Sequence, residues 1–136
     1  MNPEYKSEES NESNYWNWKG FKIFWNVKGQ ENKQPLILLH GFGASSKHWR
    51  KNSDYFAKKG YSVYSIDLIG FGKSSQPGIR EVGKLDNGVW CNQVNDFIRQ
   101  VIRPKTSNKI ILIGNSLGSL VALTCAVYLK NEILGV

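Results

Sequence analysis

Ile110-Ile111-Leu112-Ile113-Gly114-Asn115-Ser116-Leu117-Gly118 is the stretch whose reading decides the fold. Its four apolar residues have the length and branching of a strand covered on both faces of a parallel sheet. From Leu117 to about Lys130 the pattern turns helical. A serine on the sharp turn between such a strand and helix has its hydroxyl pushed out of the sheet. Glycines two residues to either side, Gly114 and Gly118, let the neighbouring backbone come close. The reading is a serine built to be a nucleophile.

Working outward, the same logic finds two more strand and helix alternations upstream. Pro35-Leu36-Ile37-Leu38-Leu39 is a second continuous apolar run. After it, Ser45 or Ser46 caps a helix whose apolar residues run from Trp49 to Ala57, with Gly60 as its stop. Tyr61 to Asp67 is the next strand, and a glycine-rich loop from Ile69 to Gly78 leads into a polar connector. Trp90, Val94, Phe97, Ile98, Val101 and Ile102 then share one side of a helix that Pro104 ends. Ile133-Leu134-Gly135-Val136 reads as the start of one more strand. Near the beginning, Tyr15-Trp16-Asn17-Trp18 and Phe21 to Val27 flank Lys19-Gly20, which predicts a β-hairpin. The expected fold class is α/β: a mostly parallel sheet with an N-terminal antiparallel hairpin, in three α/β/α layers. Residues 1 to 14, rich in Ser, Asn and Glu, read as a disordered polar tail.

Composition narrows the function classes. The 136 residues are 40% hydrophobic and 12% aromatic, enough for a packed core. A net charge of +7 suggests an anionic partner, but the basic residues stand singly or in pairs, as at Arg50-Lys51 and Lys58-Lys59, so solvated surface is the better reading and no nucleic-acid partner is expected. The two cysteines, Cys91 and Cys125, have neither metal-ligand nor C-x-x-C spacing and read as reduced core thiols. The acidic start is unlike a secretory signal, and no apolar run reaches the roughly 20 residues that span a bilayer. A cytoplasmic location is the default expectation, with peripheral membrane contact left open, and neither metal nor cofactor is expected.

Three glycine-containing loops fall at the carboxyl ends of predicted parallel strands: His40-Gly41-Phe42-Gly43, Asp67 to Ser74, and Gly114 to Gly118. Sites in open α/β sheets form along that edge. With these three motifs in this order, the chain from Tyr15 onward resembles the α/β-hydrolase superfamily. The stretches from His40 to Asn52, from Asp67 to Ser74 and from Gly114 to Gly118 resemble, within it, plant and cyanobacterial hydrolases related to pheophytinase, which cleaves a phytyl ester.

The resemblance implies that Ser116 attacks an acyl carbonyl, that the Leu117 and Phe42 amides donate to the oxyanion, and that His40, Gly41, Gly43, Gly114 and Gly118 shape the supporting loops. Elementary physics agrees for Leu117, which opens a helix whose free N–H groups and dipole favour negative charge. A serine hydroxyl also needs a histidine oriented by a carboxylate, which in this fold come after it in the order Ser, acid, His. Both histidines, His40 and His48, precede Ser116, and Glu132 comes too early for the family's acid. The reading is therefore an N-terminal, nucleophile-bearing portion of a hydrolase domain over residues 15–136, a truncated α/β-hydrolase fold lacking the triad acid and histidine. The expected substrate is a small, apolar ester or related acyl compound. The competing expectation is an inactive or partner-binding module that self-associates through an open sheet edge.

Overall fold

The computed structural model describes residues 14–136. The expected tail therefore lies outside the described residues except for Asn14. The Asn14 carbonyl accepts from the Trp25 amide (3.0 Å), just ahead of the first strand, which starts at Tyr15.

Six strands form one sheet in the order β1-β2-β4-β3-β5-β6. β1 (Tyr15–Trp18) and β2 (Phe21–Lys28) make the expected hairpin. Its turn has positive φ at both Lys19 (53°) and Gly20 (87°), the two-residue geometry whose twist matches the strands. β2 runs antiparallel to β4 (Tyr61–Ile66). β4 pairs in parallel with β3 (Gln34–Leu39), β3 with β5 (Ile110–Gly114), and β5 with the short β6 (Ile133–Gly135). The pairing with β6 reaches only Ile110 and Ile111, so on that side Leu112 to Gly114, next to Ser116, has no strand partner among the described residues.

Helices cover both faces, as the continuous apolar strands require. On one side a 3-10 turn, Ser46–Trp49, leads into α1 (Arg50–Lys58), and Trp49 packs with Leu36, Leu38 and Val63. On the other, α3 (Asn87–Phe97) and α4 (Leu117–Tyr128) pack on Ile37, Leu39, Ile66 and Leu112. Phe97 lies edge-on to Trp16, Trp25 and Tyr64, joining the hairpin to α3, and the Trp18 indole donates to Asp96 (2.8 Å).

Two local readings need correction. The polar connector contains a single helical turn, α2 (Ile79–Val82), held by a bond from the Gly78 amide to the Glu81 carboxylate (3.0 Å). α3 starts upstream of Trp90, at Asn87, because the Asp86 side chain caps it by accepting from Val89 N–H (3.1 Å). It continues beyond Phe97 as a π-helical turn, Ile98–Ile102.

Candidate active site

Ser116 stands at the junction of β5 and α4 with φ 55° and ψ −119°. Besides Lys19 in the hairpin turn, it is the sole non-glycine residue at positive φ among the described residues. Such a backbone costs about 1–3 kcal/mol and persists only where the surroundings enforce it. Here the enforcement is visible. The Asn115 amide donates to Leu39 O (3.1 Å), tying the turn to the end of β3, and the Ser116 carbonyl accepts from Ser119 N–H (2.9 Å), starting α4. The Ser119 hydroxyl bonds Gly114 O (2.9 Å). Ser116 is thereby exposed at the carboxyl edge of the sheet.

The flanking glycines are there because the chain passes too close for a side chain. A Cβ on Gly114 would fall inside the Gly118 carbonyl and 2.5 Å from Ser119 N. One on Gly118 would collide with the Leu39 carbonyl, and with His40 O at 2.7 Å. Gly41 lies against the turn, its hypothetical Cβ at 3.2 Å from both Ser116 Cβ and Asn115 O. The strand-to-helix turn and the loop after β3 are thus in close contact.

His40 is fully buried and held on both ring nitrogens. Leu68 N–H donates to Nε2 (3.0 Å), and Nδ1 lies 2.8 Å from Gly41 O, so the hydrogen bonds place the proton on Nδ1. Burial lowers its pKa below the ordinary range of an imidazole, opposed by the Gly41 bond and the Asp67 charge. A neutral imidazole fixed in this way has no nitrogen left to take a proton from Ser116; it braces the loop instead. His48 is exposed on the 3-10 turn with its ring edge-on to Trp49 and makes no side-chain hydrogen bond among the described residues.

The third loop supplies the bracing. The buried Asp67 carboxylate accepts from Ser46 N–H (2.6 Å) and Lys73 N–H (2.8 Å), joining the loops after β3 and β4. This is the loop-binding role that its position at the end of a strand suggests. The Ser74 hydroxyl donates to Asp67 O (2.6 Å) and accepts from Phe24 N–H (2.9 Å). Phe42 is 79% exposed, its ring edge-on to Phe71 at 5.4 Å. Neither its amide nor that of Leu117 has a hydrogen-bond partner among the described residues. No group of three His, Cys, Asp or Glu side chains is placed to hold a metal ion among the described residues, and none of their helices is long and apolar enough to cross a membrane.

Two contributors escaped the sequence reading. Phe71 touches both His40 (5.5 Å) and Phe42, and rests on Trp90. Gln93 is fully buried and accepts from Ile69 N–H (3.0 Å), while Trp90 Nε1 donates to Ile69 O (3.0 Å). A signal for Gln93 existed: it is a polar residue on the apolar side of the α3 pattern.

A family model for the alpha/beta hydrolase fold matches residues 34–136. The chain belongs to that family. Among its relatives, proline iminopeptidase of Clostridioides difficile (strain 630) is 30% identical over 120 residues, 87% of this chain and 39% of that protein. The 1-acylglycerol-3-phosphate O-acyltransferase ABHD5 of Pongo abelii is 35% identical over 126 residues, 87% of this chain and 32% of that protein. A crystal structure of a membrane phospholipase A, described as a bacterial virulence factor, superposes with a TM-score of 0.79 at 27% identity, over 89% of this chain and 36% of that one. The chain thus spans less than half the length of these relatives.

Proposed function

We propose that this chain carries the nucleophile and oxyanion-binding part of a serine hydrolase acting on an ester or related acyl substrate through an acyl-enzyme at Ser116. The observation that carries the reading is the enforced positive φ of Ser116 on an exposed strand-to-helix turn. Hydrolase-type chemistry is supported by the family. In this reading Ser116 Oγ attacks the carbonyl carbon, and the Leu117 and Phe42 amides stabilise the oxyanion; one such donor is typically worth about 10²–10³ in turnover. His40, Gly41, Gly43, Gly114 and Gly118 shape the loops. The carboxylate and histidine that complete a triad belong to a longer hydrolase domain, of which residues 15–136 are the N-terminal part. This is supported by the share of its relatives that the chain spans and by the position of both histidines before Ser116.

The substrate is small and apolar, in keeping with Phe42 standing exposed beside the turn; a phytyl ester, suggested by the resemblance of the loops, is the first to assay. The two free thiols favour a cytoplasmic setting. On the longest natural product of the gene, a fluorophosphonate probe should label Ser116, and labelling that survives Ser116→Ala overturns the nucleophile. For the 136-residue chain we expect little or no turnover of phytyl or nitrophenyl esters. Robust turnover abolished by Ser116→Ala would refute the incomplete triad.

One observation favours a second reading, a non-catalytic module that self-associates. Leu120, Leu123 and Val127 on α4 and Leu134 in the short edge strand β6 are exposed. A concentration-independent monomer in sedimentation velocity would eliminate it.

A further inference from the structure

Cys91 and Cys125 are far apart in the chain but not in the fold. They sit on the facing helices α3 and α4, both buried, with their sulfurs 3.3 Å apart. Both are free thiols. Between the same helices opens a cleft of about 400 Å³, lined by Gly88, Cys91, Asn95, Thr124 and Tyr128. Cys91 is on its wall and Cys125 lies behind. We propose that this pair is an oxidation site: Cys91 reacts with a peroxide entering the cleft, and Cys125 resolves the product to an intramolecular disulfide that ties α3 to α4.

The chemistry balances in two steps. Cys91 sulfur attacks one peroxide oxygen, the O–O bond breaks, and the products are Cys91 sulfenic acid and water or an alcohol. Cys125 sulfur then attacks the Cys91 sulfur; the S–O bond breaks, and the hydroxyl leaves as water with the Cys125 proton. Two thiols lose two electrons and the peroxide gains them. The order follows from access, since Cys91 faces the cleft while Cys125 has no exposed surface. Burial also raises the Cys125 pKa, as does the neighbouring Cys91, so Cys125 stays a thiol until the sulfenic acid forms beside it. A disulfide is about 2.05 Å long, so the sulfurs must close by roughly 1.3 Å, within the reach of small side-chain adjustments on packed helices.

The consequence reaches the site. The two cysteines are 34 residues apart, and the segment between them contains β5 and Ser116. Oxidation closes that segment into a covalent loop, restricting the unfolded chain and pinning α4, the helix that starts at Leu117. The inference does not depend on the role of Ser116.

The test uses the full reduced chain. After hydrogen peroxide, unfolding in urea and N-ethylmaleimide, the monomer should have lost the mass of two hydrogens and taken up no maleimide, with the Cys91 and Cys125 peptides joined. The folded chain should form this link on the order of tenfold faster than the chain oxidised in urea, and thermal unfolding should move up by several degrees. In Cys125→Ser, dimedone should trap a sulfenic acid on Cys91; in Cys91→Ser it should trap none. Two maleimides on the peroxide-treated wild type, a rate no faster than in urea, or a dimedone adduct on Cys125 would overturn the proposal. The wild-type rates decide the matter even where a serine variant fails to fold.

Discussion

Along α4, Gly118, Val121, Ala122 and Cys125 are buried against the sheet and α3, whereas Leu120, Leu123, Val127 and Tyr128 on the other side stand exposed. The inner side is built to contact distance: Gly118 has no room for a methyl group, and the Ser119 hydroxyl is spent on Gly114 O. The outer side is as apolar as the inner, and no residue of α4 is charged. A helix designed for water on one face carries charges there; this one is apolar all round. The difference teaches that the position of Ser116 is fixed entirely from within, by β3, β5 and the loop after β3, and owes nothing to the exposed face.

The most severe way to break that contrast is Gly118→Ala. Its methyl group would lie inside the Leu39 carbonyl, which is backbone in the centre of the sheet and cannot move aside. We expect a loss of about 3 kcal/mol or more in urea unfolding, or no folded protein at all; a loss below about 1 kcal/mol would show the inner side to be tolerant. Next comes Asp67→Ala, which leaves the Ser46 and Lys73 amides without their acceptor. It should cost about 2–3 kcal/mol by the same measurement.

Acid probes the bracing of the loop more gently. The pKa of His40 is lowered on folding by burial, so the unfolded chain binds a proton that the folded chain refuses. Its contribution to stability is complete above the ordinary imidazole pKa of the unfolded chain and is lost as pH falls from there towards the lower folded value. The urea midpoint should therefore drop between neutral and mildly acid pH, and His40→Gln, which cannot titrate, should drop less. An equal fall in both proteins would remove His40 as the cause. The smallest effect belongs to the outer side: Leu123→Lys, at a position 57% exposed, should change stability by no more than about 0.5 kcal/mol. If this surface self-associates, the same change should lower the sedimentation coefficient at high concentration.

Much of this was legible in the residues. Runs of branched apolar side chains announced β3 and β5, Lys19-Gly20 announced the hairpin, and of the two candidate caps, Ser45 and Ser46, it is the Ser45 hydroxyl that accepts from Lys47 N–H (3.3 Å) in the turn before α1. These are local rules of periodicity, capping and backbone freedom, which a short window of sequence contains. The single turn α2 was not legible, because four residues carry no period and the Gly78–Glu81 hydrogen bonds that hold it are formed at an exposed turn.

The candidate site divides along the same line. From the sequence alone came the α/β class, the order of the elements, and Ser116 between two glycines on a strand-to-helix turn, since each depends on neighbours a few residues away. Only the tertiary structure decided that His40 is closed on both nitrogens by Leu68 and Gly41, that Phe71 bridges His40 and Phe42, and that two cysteines 34 residues apart face each other. Those facts depend on which strands lie side by side and which helices share a face. Such long-range contacts arise from the fit of whole surfaces, and no local pattern encodes them.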